Sequence, residues 1–318
     1  MIEADEGGVA GLTISDIERE TGVAKETLRV WERRYGFPVP ARDEHGQRAY
    51  AAADLAKLRL VKRLIDSGHR PGKIVSLSIE ELNGLAGTRP SLSDTPPVRT
   101  AELQACIELC GTQRVEDLRF KLTELMLQMG LHAFVVEFLA DLNVMVGEAW
   151  ASGRLAVFEE HLYTESVQVV MRQAIASIPV RREEEALPRL LLTTMPQERH
   201  GLGLLMVEAL ATLEGAACVS LGVQTPVADI AQAARQHRAD IVALSFSQAM
   251  RPKQVLDGLK ELRASLPGAT EIWVGGSAAA LKRCAPESAK VLKLGGIADA
   301  LKAWRARRAF NCAGRAAD

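Results

Sequence analysis

A histidine with an acidic neighbour and two glycines is the part of this sequence best suited to chemistry. Glu198, His200, Gly201 and Gly203 follow a short apolar run and precede an amphipathic helical stretch. If the run is a strand of a parallel sheet, the imidazole lies at the carboxyl edge, where such sheets bind their ligands. A carboxylate two residues earlier can accept the proton of one ring nitrogen and make the other a better metal ligand. The glycines would let a flat ligand approach the backbone.

Two further clusters stand at the ends of later apolar runs. Forty-one residues separate Gly203 from Ser245, which is followed by Ser247, and the pair Gly275 and Gly276 closes the next run. The carboxyl ends of parallel strands lie on one edge of a sheet, so the clusters would meet there. By itself, a histidine in such a loop is more often simply solvated, so the prediction of a ligand site depends on this spacing.

The elements that would position these residues are short apolar runs alternating with amphipathic helical stretches. This alternation is typical of βαβ units and predicts an α/β domain over residues 186–310, with a doubly wound parallel sheet of the flavodoxin or Rossmann type. The four runs cover residues 190–195, 217–222, 240–247 and 271–276. We expect ligand-binding side chains in the loops that follow them.

The rest of the chain divides into two helical parts joined by a linker. Residues 101–180 show apolar residues at helical spacing and predict a bundle of about four helices. Residues 87–100 hold three prolines and almost no apolar side chains, which is typical of a linker. Residues 1–86 would form a separate domain ahead of it. With 318 residues, the chain is long enough for each of these domains to bury a core.

The N-terminal part combines a helix-turn-helix pattern with an excess of positive charge. Ser15 is predicted to cap a first helix that ends at Gly22, and a second helix and a short hairpin follow. Between Lys25 and Lys73 there are twelve basic and six acidic residues, although the whole chain has a net charge of −1. Binding to nucleic-acid phosphates requires a local positive field of this kind.

The run TISDIERETGVAKETLRVWERRYGF, followed by GQRAY, resembles the MerR family of transcription regulators. The resemblance covers about residues 11–80 and implies a winged helix-turn-helix whose second helix enters the major groove. It also implies two sets of DNA-contacting residues. They are Lys25, Thr27, Arg29, Arg33 and Arg34 on the second helix, and Arg42, Arg48 and Tyr50 in the wing. For Arg33 and Arg34 the alternative is a surface ion pair with a neighbouring glutamate.

The three C-terminal clusters resemble the cobalamin-binding domain of corrinoid mutases, methionine synthase and their relatives. That family is written D-x-H-x-x-G, then S-x-L, then GG, and here Glu198 replaces the aspartate and Ser247 replaces the leucine. The resemblance implies His200 as the ligand on the lower face of cobalt, with Glu198 as its partner. It also implies Ser245 and Ser247 beside the cofactor's nucleotide tail, with the paired glycines as the floor of the tail's slot.

The bundle adds a motif that resembles the cap of the CarH/CarA/LitR family of light-responsive regulators. Nine residues separate Trp150 from the pair Glu160 and His161. The resemblance implies that Trp150 covers the upper axial group of cobalt and that the pair contacts the adenosine of that group. The alternative for Trp150 is a place in the core of the bundle, and the alternative for the pair is an exposed helix face. In that family a histidine follows the tryptophan and becomes a second cobalt ligand after photolysis. Ala151 stands there instead, so His132 or His161 would have to substitute.

These resemblances predict a cobalamin-dependent, light-responsive transcription regulator rather than an enzyme. The expected partners are a double-stranded DNA operator and other copies of the chain in a dimer or tetramer, with a protein antagonist as a further candidate. Adenosylcobalamin is the expected cofactor, and methylcobalamin and hydroxocobalamin are the alternatives. The alternative function is a regulator without photochemistry, which senses either cobalamin itself or a partner protein. Regulators of the MlrA/BluR type sense a partner protein and have lost the ligand histidine, so the presence of His200 argues against that type.

The composition argues against several other classes of protein and of site. No apolar stretch is long and continuous enough to cross a membrane, and the acidic N-terminus differs from a secretory signal, so a cytoplasmic protein without a membrane partner is expected. The five cysteines include no C-x2-C pair, which argues against a disulfide framework and a zinc knuckle. Cys106 and Cys110, one helical turn apart, are expected in the core, with redox sensing as the alternative.

Overall fold

The computed structural model describes residues 11–43, 46–66, 69–86, 97–179, 187–247, 250–278, 281 and 287–315. The chain divides into two compact units, Met1–Asp94 with Glu148–Val157 and Thr95–Gly147 with Phe158–Asp318. Each unit buries an apolar cluster of its own. Within the described ranges, every helix is too short or too polar to span a bilayer.

The first unit is a helix-turn-helix followed by a two-stranded hairpin and three more helices. Its elements are α1 Ile14–Thr21, α2 Lys25–Tyr35, β1 Ala41–Arg42, β2 Arg48–Ala49, α3 Ala52–Asp66, α4 Pro71–Ile74 and α5 Ile79–Ala86. Strands β1 and β2 pair antiparallel, and an isolated bridge between Leu12 and Tyr50 extends the pairing. This is the winged helix-turn-helix that the sequence predicted.

Helix α1 begins at a capping box around Thr13. The Thr13 hydroxyl accepts a hydrogen bond from the backbone N–H of Asp16, and the Asp16 carboxylate accepts one from the Thr13 backbone in return. The prediction that Ser15 caps this helix is therefore wrong, because Ser15 lies inside the first turn, where its side chain is exposed. Gly22 ends the helix as predicted, in the left-handed conformation with φ 67°.

The apolar faces of the first three helices form the core of this unit. Leu28 and Trp31 of α2 pack with Ile17 of α1 and Leu58 of α3, and all four side chains are buried. Residues three apart in a helix share a face, so burial of Leu28 and Trp31 turns the opposite face of α2 towards solvent. Arg29 is exposed on that opposite face.

The second unit begins with a bundle of four helical segments, the number that the sequence predicted. The first, second and fourth segments are α6 Pro97–Gly111, α7 Val115–Met129 and α10 Val157–Ala176. The third segment is continuous and consists of α8 Leu131–Ala133, a π-helical turn Phe134–Leu139 and α9 Ala140–Ala151. The last turn of α9 belongs to the first unit. Most of the predicted linker, residues 87–96, lies outside the described residues, and α6 begins within its last part.

A five-stranded sheet with flanking helices completes the second unit. Its elements are β3 Arg189–Thr193, α11 Leu202–Leu213, β4 Ala217–Gly222, α12 Val227–Gln236, β5 Ile241–Phe246, α13 Pro252–Ser265, β6 Glu271–Gly276, β7 Lys290–Val291 and α14 Ile297–Arg315. The strands are parallel and lie in the order β4-β3-β5-β6-β7. This is the flavodoxin-like order of a doubly wound sheet, so the predicted class is confirmed. The sequence reasoning missed β7, which has two exposed residues and no apolar run.

Candidate functional site

The three clusters singled out in the sequence meet at the carboxyl edge of the sheet. Glu198 and His200 lie in the loop from β3 to α11, and Ser247 directly follows β5. Parallel pairing of β5 with β6 sets Ser245 opposite Gly275, which brings the glycine cluster to the same edge. Strand β3 pairs with β4 on one side and β5 on the other, so the clusters lie at the switch point of the sheet, where such folds bind ligands.

The carboxylate of Glu198 organises this edge. Its Oε1 lies 2.6 Å from Nδ1 of His200 and accepts the backbone N–H of His200 at 3.0 Å. Its Oε2 accepts the backbone N–H of Ser247 at 2.6 Å. Glu198 is only 1% exposed, so these hydrogen bonds replace the water that burial removed.

The same contacts set the proton affinities of the pair. Burial alone would raise the pKa of Glu198, but the hydrogen bonds from His200 and from the Ser247 amide outweigh it and lower that pKa. The hydrogen bond with Glu198 raises the pKa of His200, and the charge of Glu160 adds to the rise. Because a carboxylate can only accept a hydrogen bond, the 2.6 Å contact with Glu198 places a proton of the imidazole on Nδ1. The described hydrogen bonds of the ring involve Nδ1 and none involves Nε2, which leaves Nε2 suited to a metal.

Glycines at this edge of the sheet pack closely against neighbouring residues. A Cβ at Gly203 would lie 2.5 Å from Oγ of Ser245, which is too close for any real side chain. A Cβ at Gly276 would overlap the carbonyl of Phe246, and its φ of 114° is strained for other residues. These residues fit a macrocycle held through Nε2 of His200, because Glu198 binds Nδ1 on the other side of the ring. Whether Ser245 and Ser247 border a nucleotide tail stays a prediction.

One contributor to this edge was missed in the sequence. The Thr194 hydroxyl donates to the carbonyl of Glu198 at 2.7 Å and accepts the backbone N–H of Gln224 at 2.8 Å. It therefore ties the loop after β3 to the loop after β4. Its only signal in the sequence is its position near the end of the predicted strand over residues 190–195.

The three residues predicted for the upper side of the cofactor lie in different units. Trp150 belongs to the first unit, where the guanidinium of Arg59 lies 5.7 Å from the centre of its ring. Glu160 and His161 lie in the first turns of α10, and the His161 side chain is 70% exposed. Glu160 is close enough to His200 to affect its pKa. Glu160 thus lies in the same unit as His200, whereas Trp150 is described only within the first unit.

The buried thiols behave as core residues. Cys106 and Cys110 are 0% and 2% exposed, and burial raises the pKa of each thiol to about 12. A redox sensor requires an accessible thiolate, so the core interpretation of these two residues is favoured.

The candidate DNA-contacting residues of α2 fall into two groups. Arg29, Arg33 and Arg34 are exposed, and the described ion pairs include neither Arg33 nor Arg34. Thr27 is half-buried, and Lys25 lies 3.5 Å from the Glu18 carboxylate at the start of the helix. The exposed arginines are therefore the residues of α2 most available to phosphates.

The wing residues are more engaged with their own domain. Arg42 donates to the carbonyl of Gly46 at 2.7 Å, and Arg48 lies 3.1 Å from the carboxylate of Glu32. The assignment of Tyr50 to DNA contact is corrected, because its side chain is 1% exposed and packs in the core of the first unit. Its backbone pairs with Leu12, which places the ring on the inner face.

Comparison with known proteins finds a matching family for an N-terminal and a C-terminal part of the chain. Residues 12–77 match the family described as MerR HTH family regulatory protein, and residues 188–300 match the B12 binding domain. The HTH-type transcriptional repressor CarH of Myxococcus xanthus is 33% identical over 264 residues, which cover 81% of this chain and 86% of the relative. The chain belongs to the CarH/CarA family of MerR-type transcriptional regulators. The repressor CarA of the same organism is 32% identical over 258 residues, covering 80% of this chain and 84% of CarA.

Membership of the CarH/CarA family fixes the broad function. The protein is a cobalamin-binding, DNA-binding transcriptional regulator and not an enzyme, as the sequence predicted. Among solved structures, the monomethylamine corrinoid protein of Methanosarcina barkeri covers 63% of this chain and 96% of its own, with 16% identity and a TM-score of 0.49.

Proposed function

We propose that this CarH/CarA-type regulator responds to light through adenosylcobalamin, and that the upper axial group of the cofactor controls oligomeric state and DNA binding. The observation that carries the proposal is the fixed imidazole at the sheet edge, with Nδ1 of His200 2.6 Å from Oε1 of Glu198. When bound, adenosylcobalamin supplies a cobalt–carbon bond that visible light can break. Everything else in the response depends on the chain's own residues.

On the sheet side, the residues hold the cofactor and do not react. His200 would ligate cobalt through Nε2 while Glu198 keeps the proton on Nδ1. Gly203 lets the start of α11 lie close to Ser245, which would border the nucleotide tail, and Gly275 and Gly276 would form the floor of the tail's slot. Fixing the imidazole in advance lowers the cost of binding, because little motion remains to be lost.

For the upper axial group, we carry over the assignment of Trp150, Glu160 and His161 that the family resemblance implies. One conformational state of the protein would contact this group and the other would not. Loss of the group would therefore shift the equilibrium between the two states. We expect the dark form to be a dimer or tetramer, because two-fold operators need paired heads. Methylcobalamin and hydroxocobalamin have smaller upper groups and would make fewer of these contacts.

Ala151 favours a second candidate function. It follows Trp150 directly, it is 1% exposed, and its methyl side chain cannot ligate cobalt. A regulator that senses cobalamin itself, or a protein antagonist, would not need a second ligand there. His132 and His161, both exposed, are the candidates to supply one if photochemistry does occur. In either case we expect the protein to act in the cytoplasm, where a bacterial operator is reached.

Spectroscopy of the full-length protein tests the proposal. Loaded with adenosylcobalamin in the dark, the protein should show a histidine-ligated visible spectrum, and green light should change both the spectrum and the mass measured by light scattering. The His200→Ala variant should lose the histidine-ligated spectrum, whereas His237→Ala, which alters an exposed histidine after α12, should match the parent.

Each result separates the candidates. A mass that changes when cobalamin binds in the dark, but not on illumination, would favour cobalamin sensing without the proposed light response. Uptake and response of His200→Ala equal to those of the parent would contradict the assignment of His200 as lower ligand.

A further inference from the structure

We propose that Ser247 is a positioning residue for the imidazole of His200, an inference that rests on the cobalamin site proposed above. Ser247 stands where the cobalamin-binding family pattern has leucine. Its Oγ lies 3.1 Å from Nδ1 of His200, and its backbone N–H donates to Oε2 of Glu198 at 2.6 Å. One residue therefore contacts both members of the ligand pair, through two different groups.

The imidazole has little else to hold it. The His200 side chain is 61% exposed, so packing does not restrain the ring as it would in a core. A single hydrogen bond to Glu198 would let the ring pivot about that contact. Oε1 of Glu198 and Oγ of Ser247 both lie within hydrogen-bond distance of Nδ1, so the Nδ1–H group can donate to two acceptors. Two acceptors restrict the rotation of the ring more than one does.

The serine hydroxyl also suits the protonation pattern that metal binding needs. A neutral imidazole that ligates through Nε2 must carry its proton on Nδ1, and a neighbouring hydroxyl oxygen can accept that N–H. A leucine side chain offers no acceptor. The amide of Ser247, by contrast, is fixed at the end of β5 and would bind Glu198 with any side chain at this position. The hydroxyl and the amide can therefore be separated by mutation.

The test uses the full-length protein with cob(II)alamin bound. Electron paramagnetic resonance reports the nitrogen coupling and the fraction of cobalt ligated by histidine, and titration gives the dissociation constant. We expect Ser247→Ala to weaken binding about three- to tenfold, the range of one neutral hydrogen bond, and to lower the histidine-ligated fraction. Ser247→Thr, which keeps the hydroxyl, should restore both readings. Ser288→Ala, at an exposed serine ahead of β7, should match the parent.

The outcomes distinguish this inference from the proposed function. Absence of histidine coupling in the parent protein would overturn the cobalamin assignment of His200 and this inference with it. Histidine coupling in the parent together with an unchanged Ser247→Ala variant would overturn only the role of Ser247. A weakened Ser247→Ala that Ser247→Thr fails to restore would also overturn it. Equal melting temperatures of the apo variants would show that folding is not the cause.

Discussion

The ligand imidazole of His200 depends on a carboxylate that the fold has almost removed from water. Glu198 is 1% exposed and nevertheless has a lowered pKa, because the hydrogen bonds to His200 and Ser247 outweigh the cost of burial. A buried charge without such partners would instead become neutral. The sheet edge therefore holds a charged acceptor behind the ring before any ligand arrives.

Replacing Glu198 by glutamine tests this arrangement at the scale of one residue. The variant Glu198→Gln keeps the size of the side chain but removes the charge, and it places an amide group where two acceptors are needed. We expect cobalamin binding to weaken by about 10- to 100-fold, the usual effect of removing the partner of a metal-bound histidine. Absorbance titration measures it, and Glu261→Gln, an exposed site on α13, is the control. Equal affinities for the two variants would contradict the role of Glu198.

Secondary-structure elements in this protein start and stop at identifiable residues. Thr13 opens α1 with a capping box, and Gly22 closes it with a positive φ. The tight turn that follows presents α2 with its apolar face to the core and its arginines to solvent. The cap at Thr13, twelve residues before α2 begins at Lys25, thus fixes where α1 begins.

A mutation of that cap tests the element directly. The variant Thr13→Ala removes the hydroxyl that accepts the N–H of Asp16, and we expect the first unit to lose about 1 kcal/mol of stability. Ser15→Ala, two residues away and exposed, should change the stability by less than about 0.5 kcal/mol. Urea unfolding followed by tryptophan fluorescence measures both. A larger loss for Ser15→Ala than for Thr13→Ala would show that the cap is misassigned.

At the scale of the whole molecule, the charge is distributed unevenly. The chain has a net charge of −1, yet twelve basic residues face six acidic ones between Lys25 and Lys73. Attraction to DNA phosphates is therefore concentrated in the first unit, while the rest of the chain compensates for it. Binding of this kind weakens as salt rises, because each neutralised phosphate releases counterions.

The salt dependence of DNA binding tests whether the exposed arginines contact phosphates. For Arg33→Ala, we expect weaker binding to all duplex sequences and a loss of about 0.9 from the slope of log affinity against log salt. Lys253→Ala, an exposed cation at the start of α13, should leave the slope unchanged. Fluorescence anisotropy over a range of potassium chloride concentrations measures it. If Arg33→Ala had the same slope as the parent protein, the Arg33 side chain would not contact the phosphates.

Much of this protein could be predicted from the linear order of its residues. The alternation of apolar runs with amphipathic stretches predicted the parallel sheet, since that pattern depends only on which faces are buried. The position of His200 after a strand predicted its place at the carboxyl edge, because parallel strands all end on one side. These features are local or follow from connectivity, so the spacing in the sequence was enough.

The remaining features were decided only in three dimensions. Sequence spacing could not show that Tyr50 turns into the core or that Trp150 lies beneath Arg59, because both depend on how separate elements pack. The contact of Ser247 with His200 spans 47 positions and exists because β5 pairs with β3 in one register. Register and packing determine which atoms meet, whereas the sequence alone predicts only which edge they reach.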